Sequence, residues 1–172
     1  MDRPILSDAF EDLLLYRLYR LSSVAGAMIV RLCEGGYGIT RREWRILALL
    51  HGHDGLPPSA LAEKVQLDRA RTSRTISALV QKKLIVRTLA VADRRGARLA
   101  LTPAGQSMYA QLMPQVQEIN RSILSVLSDE EAVQFHASLS RLQNGAQALH
   151  DAMMADLPRA NRHRGQKNKV GR

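Results

Sequence analysis

Two short helical patterns, a turn and a strand pair follow one another without a gap over residues 59–102, and few folds accept that order. Ser59–Val65 has apolar spacing for one short helix, and Gln66-Leu67-Asp68 supplies a turn. Asp68 is placed to cap the next helix by accepting its free N–H groups. That helix, Arg69–Lys83, is expected to bury Ile76, Leu79 and Val80 and to expose Arg69, Arg71 and Arg74. Strand-like runs at Leu84–Ala90 and Ala97–Leu101 then flank Asp93-Arg94-Arg95-Gly96, a charged hairpin tip. A helix-turn-helix with a β wing satisfies all of these patterns, and double-stranded DNA is what such a unit grips.

Longer helices flank this unit. Ser7 can cap a first helix of about residues 8–34, where Phe10, Leu14, Leu18, Leu21, Ala25, Met28, Ile29 and Leu32 recur at three- and four-residue steps. Gly35-Gly36 stops it. Thr40 and Glu43 have the spacing of a reciprocal capping box and open a second helix through Leu50. Thr102-Pro103 starts a long helix to about Leu127, which Pro114 is expected to bend. Ser128 and Glu131 form a second capping box ahead of a last helix carrying Val133, Leu139, Leu142, Leu149 and Met153. The fold class is therefore mainly α with a small β wing. The organisation expected is one domain over 1–157, with a DNA-binding lobe at about 40–102 between terminal helices at about 8–34 and 103–155.

The apolar stripes on the terminal helices exceed what a small winged lobe can cover. Burial against a second copy resolves this and predicts a homodimer whose interface the terminal helices form. Packing of these helices on their own lobe is the alternative. A two-fold dimer presents two recognition helices, which match a palindromic site with half-sites ~10 bp apart.

Charge supports the same destination. The chain has 172 residues and a net charge of +9. Six of its 25 Lys and Arg lie in Pro158–Arg172, a stretch without acids, and setting them aside lowers the balance to +3. That tail has too few apolar residues to pack and is expected to be a disordered basic segment able to neutralise phosphates. One cysteine excludes an internal disulfide framework. No apolar stretch reaches the roughly 18 residues of a membrane span, and Asp2, Asp8, Glu11 and Asp12 rule out a signal peptide, so a cytoplasmic protein is expected. Catalysis has no foothold: the chain lacks a glycine-rich phosphate loop, a Gly-x-Ser-x-Gly elbow, His-Glu-x-x-His and paired acids in an apolar setting. His51, His53 and Asp54 give no complete metal-ligand set. A protein that coats DNA without a specific operator remains a competing reading.

Asp93, Arg95, Leu101 and Thr102 match the wing pattern D-x-R-x(5)-L-T, and Leu61-Ala62-Glu63 with Leu79, Lys83, Leu84 and Ile85 matches the helices ahead of it. Together these resemble the MarR family of winged-helix transcriptional regulators. With the recognition helix in the major groove, Arg69 and Arg71 are placed for base edges, and Thr72, Ser73 and Thr75 offer hydroxyls to phosphates or bases. By analogy with the family, Arg74 clamps a phosphate and Asp93 orients an arginine. Ser59 can add a phosphate contact, and Arg94 and Arg95 can enter the minor groove.

The resemblance also implies an effector cleft between the terminal helices and the lobe. Tyr16, Arg17, Tyr19 and Arg20 cluster on the first helix, and Trp44, Ala48 and His51 lie at helical spacing on the second. By position, Arg17 and Arg20 correspond to arginines that reach into this cleft in some relatives, and Trp44 to a ligand-facing aromatic. An arginine pair suits a carboxylate and an aromatic side chain suits a ring, so the expected effector is an aromatic or heteroaromatic carboxylate such as a hydroxybenzoate or hydroxynicotinate. Arg17 can instead pair with Asp12 or Glu11, and Trp44 can be core. Cys33 is the alternative sensor, through oxidation, but its neighbours Arg31 and Glu34 form no evident thiolate-stabilising pattern. No resident cofactor is expected.

Overall fold

A computed structural model describes residues 9–53, 55–65, 68–89 and 97–157. The first helix does not start as one piece. A 3-10 turn at Phe10–Asp12 is separated by extended Leu13 from α1, Leu14–Arg31. The expected cap, Ser7, lies outside the described residues. After α1 the chain widens into a π turn at Leu32–Gly36 and reverses at Gly38, whose φ of +63° is a left-handed conformation that glycine adopts without strain.

The capping signals of the second and fourth helices work as the sequence implies. Thr40 Oγ1 accepts from the Glu43 N–H at 3.2 Å and Glu43 Oε2 accepts from the Thr40 N–H at 2.6 Å, starting α2, Arg41–Leu50. α3 spans Pro58–Val65. Asp68 Oδ1 then accepts from the Arg71 N–H at 2.8 Å at the start of α4, Arg69–Gln81. Such a cap stabilises a helix by about 1 kcal/mol. α4 ends two residues before the expected Lys83, which itself takes a left-handed φ of +57°.

Glu43 does more than cap. It is 3% exposed, and its Oε2 also accepts from Lys82 Nζ at 2.9 Å, while the same ammonium donates to the Gly38 carbonyl at 2.9 Å. One carboxylate thus ties the start of α2 to the end of α4. Around this tie lies a single core that includes Ile46, Leu47, Leu50, Leu61, Val65, Ile76, Leu79, Ile85, Leu99 and Leu112. Val80, expected inside, is instead 37% exposed. Thr72, Ile76 and Leu79 define the buried stripe of α4, and Val80 falls at its edge.

β1, Ile85–Leu89, pairs antiparallel with β2, Ala97–Leu101, in the register Ile85 to Leu101 and Leu89 to Ala97. Leu56 adds an isolated bridge to Leu99, exchanging both backbone hydrogen bonds at 3.0 and 2.9 Å, which fastens the wing to the segment before α3. α5 follows as Pro103–Leu124 and continues through Pro114.

The joint between wing and α5 is tight. Thr102 Oγ1 donates to the Lys83 carbonyl at 2.7 Å and accepts from the Gly105 N–H at 3.1 Å, and the Thr102 N–H donates to the Leu84 carbonyl at 3.1 Å. A Cβ on Gly105 would stand 2.0 Å from that Leu84 carbonyl oxygen. In a separate compact unit beginning at Leu124, α6 spans Asp129–Met153 behind the capping box of Ser128 and Glu131.

Backbone cannot step aside as a side-chain tip can, so Gly105→Ala is expected to destabilise the fold by about 1–3 kcal/mol. Urea unfolding should show a lower midpoint with an unchanged slope. A midpoint equal to that of the parent would mean that α5 shifts freely against the wing.

Candidate nucleic-acid interface

α4 presents its cationic side chains outward because its apolar stripe is committed to the core. Arg69, Arg71 and Arg74 are exposed, as are Ser73 and, at the start of α3, Ser59. Two of the arginines are held by local bonds. Arg71 Nε lies 3.1 Å from Asp68 Oδ2, and Arg74 Nε donates to the Ala70 carbonyl at 3.3 Å. Asp68 therefore serves both as helix cap and as a guide for the Arg71 guanidinium.

Two of the expected hydroxyl donors are differently disposed. Thr72 is 2% exposed and its Oγ1 donates to the Asp68 carbonyl at 3.0 Å, so it belongs to the packed face of α4 and cannot reach DNA. Thr75 is half-buried and donates to the Arg71 carbonyl at 2.9 Å, leaving its oxygen able only to accept. Arg94 and Arg95, with Asp93, lie outside the described residues.

One residue that the sequence reading passed over joins this surface. Arg87 of β1 lines a cavity of about 290 Å³ together with Ser59, Arg69 and Ser73, over a floor made by Pro58, Ala62, Thr72 and Ile76. It is the single charged residue of a five-residue strand, Ile85–Leu89, which is the signal that could have singled it out. Three elements thus bring hydroxyl and guanidinium groups to one surface.

Among the described residues, the two halves of the expected effector cleft have separate partners. On α2, Trp44 is a core residue and Ala48 is half-buried. Trp44 and exposed His51 both stack on Tyr109 of α5, with ring centroids 5.7 and 3.7 Å apart. On α1, Tyr16 packs against Phe10 at 4.5 Å, and Arg17, Tyr19 and Arg20 are exposed. Among the described residues no hydrogen bond, ion pair or ring contact links this cluster to Trp44, Ala48 or His51. Tyr109, absent from the sequence reading, is the residue that unites the α2 half.

Cys33 is fully buried. Burial pushes its thiol pKa up, Glu34 adds to that rise, and Arg41 partly opposes it. The thiolate needed for oxidation is therefore disfavoured at neutral pH. Among the described residues no three His, Cys, Asp or Glu gather as a metal set, and no helix is long and apolar enough to cross a membrane.

Comparison with known proteins agrees with this geometry. A model of the MarR family matches residues 37–96, from the residues before α2 to the wing. The chain is 30% identical over 110 residues to the HTH-type transcriptional repressor MdtR of Bacillus subtilis, covering 64% of this chain and 71% of that protein. Among solved structures, the S. aureus MepR–DNA complex superposes with a TM-score of 0.66 at 26% identity, over 75% of this chain and 96% of that one. BpsR of Bordetella bronchiseptica, solved in a study of its DNA-binding regulation by 6-hydroxynicotinic acid, shares the fold with a TM-score of 0.70 at 21% identity, over 80% and 97%. The chain belongs to the MarR family of winged-helix transcriptional regulators, which bind DNA and are not enzymes.

Proposed function

We propose that this regulator is a homodimeric repressor that binds a palindromic operator through α4 and leaves it when an aromatic or heteroaromatic carboxylate binds. The observation that carries the DNA part is the grouping of Arg69 and Ser73 of α4 with Ser59 and Arg87, beside the exposed Arg71 and Arg74 of the same helix. Arg69 and Arg71 read base edges; Arg74, Ser73 and Ser59 hold phosphates; Arg94 and Arg95 on the wing enter the minor groove. Likeness to MdtR, a repressor, and to MepR, solved with DNA, supports this reading.

Magnitudes allow Arg71 to leave Asp68 for a base. An exposed ion pair contributes about 0–1 kcal/mol, whereas a bidentate arginine–guanine contact discriminates by about 1–3 kcal/mol. The pair therefore aims the side chain in the free protein without holding it back from DNA.

The dimer follows from faces left uncovered. Leu21, Val24 and Met28 of α1 are exposed, Val24 by 74%, and so are Val133, Leu142 and Leu149 of α6. A second copy covering them forms the interface, with residues 40–102 as the DNA-binding lobe. In such a dimer Arg17 and Arg20 of one copy can complete the cleft at Trp44, Ala48, His51 and Tyr109 of the other, with Tyr16 and Tyr19 at its edge. BpsR has this fold and is regulated by 6-hydroxynicotinic acid, which makes that acid the first probe.

Fluorescence anisotropy with the DNA upstream of the chain's own gene, against random competitor at fixed salt, tests the reading. Arg69→Ala and Arg71→Ala are each expected to weaken operator binding roughly 5- to 150-fold, corresponding to about 1–3 kcal/mol, with a smaller effect on random DNA. Equal losses on both DNAs would instead indicate sequence-independent coating. Addition of 6-hydroxynicotinate or a hydroxybenzoate is expected to release the operator, and tight binding indifferent to every such acid would refute the effector. In sedimentation equilibrium the parent chain should be a dimer, and Val24→Asp should shift it to monomer; a parent chain that sediments as a monomer would overturn the interface.

A further inference from the structure

A second set of arginines lies away from α4 and has no role in the reading above. Arg31 ends α1, and Arg41, Arg42 and Arg45 occupy the first half of α2. Among the described residues none of the four makes an ion pair; Arg45 Nη1 donates to the Val65 carbonyl at 3.2 Å. Glu43, the nearest carboxylate in sequence, is already occupied by Thr40 and Lys82. That leaves Glu34 as the acid lining this region. Cations in the first turn of a helix oppose its dipole, so Arg41 and Arg42 do not serve the stability of α2.

These guanidinium groups line a groove rather than a convex surface. One cavity of about 570 Å³ runs along α1 past Tyr19, Ser22, Gly26 and Ala27 to Arg31 and Arg41. A second, of about 450 Å³, continues past Arg41, Arg42 and Arg45, and the two share Val30 and Arg41. Arg41 is half-buried at their junction because α1 has no side chain at Gly26. A Cβ there would stand 2.2 Å from Arg41 Nη1. Glycine is unfavourable inside a helix, so its presence here is explained by the seat it gives that guanidinium.

The middle of the groove lies away from the face assigned to the dimer: Ser22, Gly26 and Val30 are about 100–180° around the helix from Leu21 and Met28, while Ala27 and Arg31 border Val24, three and seven residues on.

We infer that this groove between α1 and α2 is a binding site for a small amphipathic anion, distinct from the cleft at Trp44 and Tyr109. The carboxylate or phosphate head sits on Arg41 with Arg31 and Arg42, and the apolar body lies along Gly26, Ala27 and Val30 towards Tyr19. Charge sets the head group and the concave, weakly polar wall of α1 sets the body; volumes of this size suit small organic ligands.

Titration calorimetry on the full chain tests this with octanoate, 4-phenylbutyrate and phenyl phosphate, and with 4-phenyl-1-butanol as the neutral match. At least one anion should saturate one site per chain while the alcohol gives no saturable heat. Arg41→Gln should weaken that anion at least 10-fold. Gly26→Ala should weaken it similarly while leaving the protein as stable or more so, because it unseats Arg41 but favours the helix. Should Arg41→Gln not fold, Arg42→Gln, on an exposed position, should also bind the anion at least 10-fold more weakly. Trp44→Phe and Arg17→Gln should leave the affinity unchanged, which separates this site from the effector cleft. No saturable heat with any of the three anions would overturn the inference, as would unchanged affinity in Arg41→Gln or a loss confined to Arg17→Gln and Trp44→Phe. Weaker binding of random duplex by Arg42→Gln, with no anion bound by the parent, would assign the arginines to the DNA backbone and overturn it equally.

Discussion

The placement of α4 depends on a buried carboxylate. Glu43 receives the Thr40 N–H, which begins α2, and the Lys82 ammonium, which ends α4, and through Lys82 it also fixes the Gly38 carbonyl in the preceding loop. A charge this enclosed is tolerable because its oxygen is supplied with donors; hydrogen bonds to charged groups contribute about 1.5–3 kcal/mol each. Removing the carboxylate would strip the cap and leave the Lys82 ammonium without its ion-pair partner. An apolar pair of similar size could hold α2 and α4 together, but it would not fix their axial positions as two directed bonds do. The direction of α4, and with it Arg69, Arg71 and Arg74, is set by this tie.

A second joint acts on the wing. Lys83 turns left-handed at the end of α4, and Thr102 and Gly105 close on the Lys83 and Leu84 carbonyls from the other side. β1 leaves α4 and β2 enters α5 through the same few ångströms, so the hairpin base cannot pivot without breaking these bonds. Leu56 and Leu99 fasten the wing to the approach to α3 as well. Arg87 is carried to its place beside Ser59 and Arg69 by this framework. The backbone under the polar surface on α3, α4 and β1 is therefore pre-arranged, so ordering costs on binding fall on its exposed side chains.

Local signals in the chain were legible wherever one residue decides the outcome. Thr40 with Glu43, Asp68 and Ser128 with Glu131 each mark a helix start that the structure places there, because capping is a bond between near neighbours. The errors lie where a distant element decides. Thr72 reads as a polar donor on a basic helix, yet its hydroxyl is satisfied by the Asp68 carbonyl and its methyl lies on the packed stripe. Val80 reads as core at four residues from Ile76, but the stripe is centred nearer Leu79 and leaves it at the rim. Trp44 and His51 were legible as neighbours on one helix face; that Tyr109 would stack on both, from 58 residues beyond His51, was not. The break at Leu13 also left no periodic trace, since the apolar steps run across it, and the π turn at Leu32–Gly36 begins where those steps end.

Two kinds of surface on α1 then need different partners. For the stripe of Leu21, Val24 and Met28, which Arg17 and Arg31 bound at its two ends, burial is the main gain, at roughly 25 cal/mol per Å². In the proposed dimer a second copy would offer that, and its own stripe would gain equally. The groove between the same helix and α2 has the opposite character: small residues of α1 form its wall and guanidinium groups, mostly from α2, its end. A protein partner covering it would have to supply several carboxylates or leave arginines desolvated and unpaired, a cost of several kcal/mol per ion. A small anion avoids that cost by matching one head group to the cluster while the remaining charges stay in water. An apolar stripe on one side of α1, and a wall of small residues that meets the arginines of α2 on another, would let one helix serve an interface and a ligand at once.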